Sequence, residues 1–277
     1  MFKEQDLVYI KEEKNPIIYI IIKLINQTCY LKGLNYRIYR ITTMDKIEYI
    51  YDELKQKETE TCNIYYKNIK RNIKERVSNK ILYGRILHID GDPEYLDNCL
   101  NLYKEMKIPA EGIYIEEKEM KNEIKQYILE VTPDIVVITG HDSYNGKNKK
   151  DLKNYENSQY FIDTIREIRK LFNIDSLPII VGACCSHFEA LIAAGANFAS
   201  SPSRINIHTY DPAVIAIKLA TTSCNRTIDF ENTLKYIENK RDAFGGIETK
   251  GKMRILLWGI YESKSLCEDK FNVESYL

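Results

Sequence analysis

The chain has 277 residues, 44% hydrophobic and 29% charged, enough for one large domain or a medium domain with a small module. Forty Lys and Arg residues balance forty Asp and Glu residues, which excludes any global electrostatic pull toward nucleic acid or an anionic membrane. The seven cysteines show no disulfide-like rhythm, the charged start Met1–Asp6 does not read as a signal peptide, and the longest apolar run, 17–25, is broken by Lys23 and falls short of the roughly 20 residues that span a bilayer.

Free thiols in a reducing cytosol are therefore expected. In chain order, residues 1–60 hold short β-branched runs at 6–10, 17–24, 29–34 and 36–41, with Gly33 and Asn35 as turn signals. Four strands at this spacing predict a small SH3-like β-barrel. Residues 61–80 carry Lys67, Lys70, Arg71, Lys74, Arg76 and Lys80 and read as a basic linker or solvated helix.

From residue 81 to 277 strand and helix alternate. The strand 85–90 leads into Asp92 as a cap, Pro93 in a first turn, and a helix over 94–107. A strand at 112–115 and a helix at 119–131 follow. The run Asp134-Ile135-Val136-Val137-Ile138-Thr139-Gly140 is continuously apolar, the mark of a central parallel strand. A polar loop at 145–153 precedes a helix over 158–172, a strand at 178–181 and a helix at 188–194. A short strand near Phe198, a helix over 212–220, a flexible loop at 245–251 and a last strand at 253–258 complete the series. Repeated β–α units predict a doubly wound parallel sheet.

Two apolar strands end in reactive residues: one runs into Gly140-His141-Asp142, the other into Gly182-Ala183-Cys184-Cys185-Ser186-His187. In a parallel sheet both ends lie on one edge, so a thiol and an imidazole far apart in sequence can meet. The imidazole would take the thiol proton, the thiolate would attack an amide carbonyl, and backbone N–H groups around Gly140 and Cys184 would form an oxyanion hole. A helix beginning at the thiols would favour the thiolate further. The same residues fit blander roles. Cys184 and Cys185 fit buried small hydrophobes or a strained vicinal disulfide. With His187 they fit a metal poorly, since adjacent cysteines do not suit tetrahedral zinc, and no metal is expected. His187 is the rival base, although its closeness in sequence favours a helix-start role. Ser200, Ser201 and Ser203 read as a turn, and His208 has no assigned partner.

Longer motifs carry a resemblance. They are Leu87-His88-Ile89-Asp90-Gly91-Asp92, Ile138-Thr139-Gly140-His141-Asp142, the run from Gly182 to Ala190, the run from Ala194 to Arg204, and Gly245-Gly246-Ile247-Glu248-Thr249. Strand–Gly–His followed by strand–Ala–Cys is similar to the caspase-like, clan CD cysteine peptidases, and the longer motifs resemble the YabG family of sporulation-specific proteases. The N-terminal Asp6-Leu7-Val8 and Leu31-Lys32-Gly33 extend the resemblance over nearly the whole chain. It implies a caspase-like α/β peptidase domain at 81–277 and an endopeptidase of the sporulating mother-cell cytoplasm, associated with the spore coat. Its partners would be spore coat proteins and spore proenzymes, cut near basic residues without a cofactor.

Carried over, His141 is the general base and Cys184 the nucleophile. The family commonly has Gln where this chain has Cys185, so Cys185 is a second candidate; Cys184 fits the Ala–Cys pattern because it follows Ala183. Asp90, Asp92 and Glu189 are candidates for a pocket that takes a basic substrate side chain, with helix capping as the plainer role for the two aspartates. An alternative for the whole chain is a non-catalytic coat or scaffold protein on an inert α/β domain. The spatial expectation is that the Cys184 thiol and the His141 ring face each other across the sheet edge.

Overall fold

The computed structural model describes residues 2–73 and 81–255. Five N-terminal strands, β1 (Leu7–Ile10), β2 (Tyr19–Ile25), β3 (Thr28–Gly33), β4 (Tyr39–Thr43) and β5 (Ile47–Tyr49), pair antiparallel in the order β4-β3-β2-β1-β5. The expected four strands become five because the chain returns through Ile47–Tyr49 to pair with β1. Helix α1 (Asp52–Ile73) follows, beginning where Asp52 and Glu53 complement the helix N-terminus. Lys70 and Arg71 lie at its end, where side chains are not described, and Lys74, Arg76 and Lys80 lie outside the described residues.

The larger unit is a six-stranded sheet in the order β12-β11-β10-β9-β7-β8. Strands β7 (Ile86–Asp90), β8 (Ala110–Tyr114), β9 (Ile135–Thr139), β10 (Ile179–Gly182) and β11 (Phe198–Ser200) are parallel. Strand β12 (Phe244–Gly246) runs antiparallel to β11. The flexible loop expected at 245–251 is thus partly a strand: Gly246 lets the backbone press against Asn197 and Phe198, and Gly245 against Phe188, where a Cβ on either would clash. A two-stranded pair joins β6 (Ile81–Leu82) to β13 (Arg254–Ile255), so the last strand expected at 253–258 is seen only in part, and 256–258 lie outside the described residues.

Every residue of β7, β9 and β10 is buried, as continuous apolar runs require when helices cover both faces. Leu87, Ile89, Val136, Ile138 and Val181 pack with α3 (Met120–Val131), α4 (Ser158–Arg169) and α5 (Phe188–Ala194) on one face. Ile86, Ile135, Val137 and Ile180 share the opposite core with α2 (Pro93–Glu105) and α6 (Asp211–Thr221), and this core continues into Val8, Tyr19, Ile21 and Leu31 of the N-terminal sheet. Each such aliphatic side chain contributes about 1.5–3 kcal/mol. Two short helices that the sequence does not announce, α7 (Phe230–Leu234) and α8 (Lys240–Ala243), lead into β12. No helix among the described residues is long and apolar enough to cross a membrane.

Candidate active site

Strands β9 and β10 pair in register, Thr139 opposite Gly182, so His141 and Cys184 leave the sheet two residues later at the same level. The turn after β10 is shaped by Gly182 at φ +125°, where a Cβ would collide with Ser200. Ser200 and Ser201 donate their hydroxyls to the Ala183 carbonyl, and Ser201 also accepts from the Cys185 N–H, which makes these serines the scaffold of the thiol turn. Ser203 is occupied by Asp242.

The helix expected at 188–194 is present as Phe188–Ala194, so it starts beyond the thiols rather than at them. His187 is its cap, with Nδ1 accepting from the Ala190 N–H at 3.3 Å, so Cys184 does not sit on a helix N-terminus. Glu189, largely exposed, is bound to Arg204 and lies 3.3 Å from His187 Nδ1 at the outer end of that cap. Cys184 is fully buried. The Ile207 N–H donates to its Sγ at 3.3 Å, and Sγ reaches the Ile207 carbonyl at 3.7 Å. Burial pushes its thiol well above the ordinary range and neighbouring Cys185 adds to this, with the Ile207 N–H opposing. Cys185 has a left-handed backbone (φ +60°) and directs Sγ to the Arg204 carbonyl at 3.3 Å.

Around His141 the structure assembles Glu117, which the sequence does not single out, and Asp92, which it does. Glu117, in the loop after β8, accepts the His141 N–H at 2.7 Å and lies 3.5 Å from Nδ1. It fits because Gly91 and Gly140 leave the space a Cβ on either would fill. Asp92 lies 3.5 Å from Nε2 while its other oxygen caps α2 through the N–H groups of Glu94 and Tyr95; its expected capping role is present. Burial works to raise both carboxyls. For Asp92, Lys32 at 2.6 Å and His141 outweigh it, and for Glu117 the bonds from His141 do, so both lie below their ordinary values. Asp142 turns away from the ring and accepts from the N–H groups of Ser143 and Asn157 and from the Ser158 hydroxyl. The Nε2 of His141 is buried and makes no hydrogen bond, so it is not bonded to the Cys184 thiol in this structure.

The space between these residues is filled by the chain itself. The segment 36–39, ahead of and entering β4, crosses the sheet edge. The Arg37 carbonyl accepts the Cys184 N–H at 3.3 Å, Ile38 bridges to Asp142, and the Tyr39 ring stacks on His141 with centroids 3.7 Å apart and planes 6° from parallel. The Arg37 side chain is fully buried. Its Nη1 meets Asp90 at 2.5 Å, its Nε and Nη2 share the Thr209 carbonyl, and Nη2 reaches Cys99 Sγ at 3.5 Å. Burial raises the Asp90 carboxyl, and Arg37 and the Thr139 hydroxyl oppose the rise. Behind Asp90, His88 is buried between Tyr103 and Thr139, its pKa driven down by desolvation and by Arg37.

A mostly parallel six-stranded sheet with a cysteine and a histidine level at its carboxyl edge defines an α/β protein, and comparison places it further. The family model described as YabG peptidase U57 matches residues 3–257, and the chain belongs to that family. It is similar to the sporulation-specific protease YabG of Bacillus subtilis (strain 168), 45% identical over 175 residues, which is 62% of this chain and 60% of that relative. The match thus spans less than two thirds of the relative's length. No solved structure matches the chain.

Proposed function

We propose that this chain is a cysteine endopeptidase that cuts proteins after basic residues, with Cys184 as nucleophile and His141 as the proton-transfer group, on a caspase-like sheet fronted by an SH3-like module. The observation that supports it is the placement of Arg37: its carbonyl lies on the Cys184 N–H while its guanidinium lies on buried Asp90. A peptide bound in the same way would present its carbonyl carbon at the strand end and a cationic side chain to a carboxylate that needs one. Arginine fits better than lysine, because the Thr209 carbonyl and Asp90 take separate arms of a planar fork.

The chemistry is set by these positions. His141 accepts the Cys184 proton, and the thiolate adds to the carbonyl carbon. The developing oxyanion is held by the Cys184 N–H, with the amide at Gly140 as the second candidate donor. His141 then gives the proton to the leaving amine, and a water deprotonated by the same ring hydrolyses the thioester. Glu117 and Asp92, one on each side of the ring, orient it. The name of the Bacillus subtilis relative, a sporulation-specific protease, supports sporulation as the setting; the proposed substrates are spore coat proteins and spore proenzymes in the mother-cell cytoplasm. In this reading residues 81–277 form the peptidase domain, 61–80 a connector, and 1–60 the module that delivers Arg37.

The test is hydrolysis of an arginyl peptide and of a coat protein by the full chain. Cys184→Ala and His141→Ala should abolish both, and Cys185→Ala should leave both. Loss in Cys185→Ala alone would move the nucleophile by one residue, cleavage unaffected by either substitution would remove this turn from the chemistry, and no cleavage by the parent chain would favour the non-catalytic scaffold alternative.

A further inference from the structure

The resident segment also marks a surface that no catalytic role requires. Residues 35–37 lie antiparallel along 207–209. The Arg37 N–H donates to the Ile207 carbonyl at 3.3 Å, the Thr209 N–H donates to the Asn35 carbonyl at 3.2 Å, and Tyr36 stands opposite His208. These two bonds flank a single isolated antiparallel bridge, a pairing that an extended peptide can make through its backbone while its alternate side chains are left to be read. The side chains are read by fixed groups. The Tyr36 ring meets His208 edge-on at 5.7 Å, and its hydroxyl donates to Glu238 at 3.3 Å. His208 is held for this contact by the Tyr210 N–H on Nδ1 and by the Tyr65 ring 4.6 Å away. The Asn35 amide donates to Glu58 at 2.8 Å. Beside them opens a cavity of about 490 Å³ lined by Asn35, Tyr36, His208, Glu58 and Glu238, among others.

We propose that the edge Ile207–Thr209 is a strand-binding groove that selects peptides by the two residues before their arginine. It takes a hydroxyl-bearing aromatic next to the arginine, against His208 and Glu238, and a hydrogen-bond donor side chain one residue earlier, at Glu58. The occupant is an extended polypeptide of that chemistry, which the chain's own Asn35-Tyr36-Arg37 mimics. The inference rests on the peptidase reading for cleavage of the bound peptide, but not for binding itself.

The test separates the two. In the full chain carrying Tyr36→Ala, Arg37→Gln and Cys184→Ala, the resident strand loses its anchors and no bond can be cut. Fluorescence anisotropy then compares acetylated Asn-Tyr-Arg and Asn-Ala-Arg amides. The tyrosine peptide should bind roughly tenfold more tightly, from one aromatic contact and one hydrogen bond to a carboxylate. Adding Glu238→Gln should bring Tyr and Phe peptides to near-equal affinity. In the intact chain, the tyrosine peptide should accelerate amide hydrogen exchange of residues 35–39 more than the alanine peptide does, a readout that needs no destabilising substitution. Equal affinities, or equal effects on exchange, overturn the groove. Selective binding without Cys184-dependent hydrolysis would sink the peptidase reading and leave the groove standing; arginine-dependent hydrolysis without selective binding would do the reverse.

Discussion

Replacing Arg37 with glutamine should lower stability and raise activity together. The guanidinium and the Asp90 carboxylate are both fully buried and 2.5 Å apart. Removing one partner of such a pair costs about 3–5 kcal/mol, because the remaining charge stays desolvated. Asp90 limits the loss by taking a proton, so the lower end, about 3 kcal/mol, is expected. The pH dependence fixes the sign. Without Arg37 the Asp90 carboxyl keeps the upward push of burial and loses its main opposition. A raised carboxyl contributes stability that is present below its unfolded value and lost as pH rises through the folded one, so the deficit against the parent should be smaller at about pH 5 than at about pH 8. Activity moves the other way. The segment competes in cis at an effective concentration in the millimolar range, so weakening it should lower KM for an arginyl peptide by roughly tenfold or more. Urea unfolding at the two pH values and steady-state hydrolysis read both effects. A loss below about 1 kcal/mol at both pH values, or an unchanged KM, would refute the reasoning.

The same geometry carries further expectations. Gly140→Ala should displace Glu117 from His141 and cut kcat by roughly a hundredfold while leaving the thermal transition intact, which a melt and a rate assay check together. Burial pushes Asp211 up to about 7 against the Tyr65 hydroxyl, so the parent loses stability as pH rises toward that value, and Asp211→Asn should flatten the fall between about pH 4 and pH 7 in pH-dependent unfolding. Cys185 has φ +60°, so Cys185→Val should cost about 1–2 kcal/mol in urea unfolding and Cys185→Gly much less.

Much of the larger unit is legible in the sequence because its determinants are local. The unbroken run 135–139 could only be a strand covered on both faces, and parallel pairing puts the residues after it level with those after 179–182. Asp92 and Pro93 announce the start of α2 as they do in the structure. What escaped depends on contacts between distant segments. Glu117 lies in Glu116-Glu117-Lys118-Glu119, a charge run that reads as solvated; the signal that it turns inward is the space at Gly91 and Gly140, meaningful only once the strands are paired. Arg37 sits in the alternating Tyr36–Ile41, where it looks like the exposed face of a strand; its burial results from docking of the N-terminal sheet on Asp90, which no local pattern encodes. The helix at 188–194 is legible, but the shape of the thiol turn ahead of it is not, because Ser200 and Ser201, far along the chain, hold it through Ala183 and Cys185.

The central claim is that Cys184 is the nucleophile that receives a peptide's arginyl carbonyl. An arginyl chloromethyl ketone tests it most directly, since the attacking thiolate displaces chloride and stays marked. Mass spectrometry of the labelled full chain should find a single adduct on Cys184, lost in His141→Ala and blocked by an arginyl peptide. An adduct on Cys185, or hydrolysis of arginyl peptides with Cys184 left unlabelled, would contradict the account.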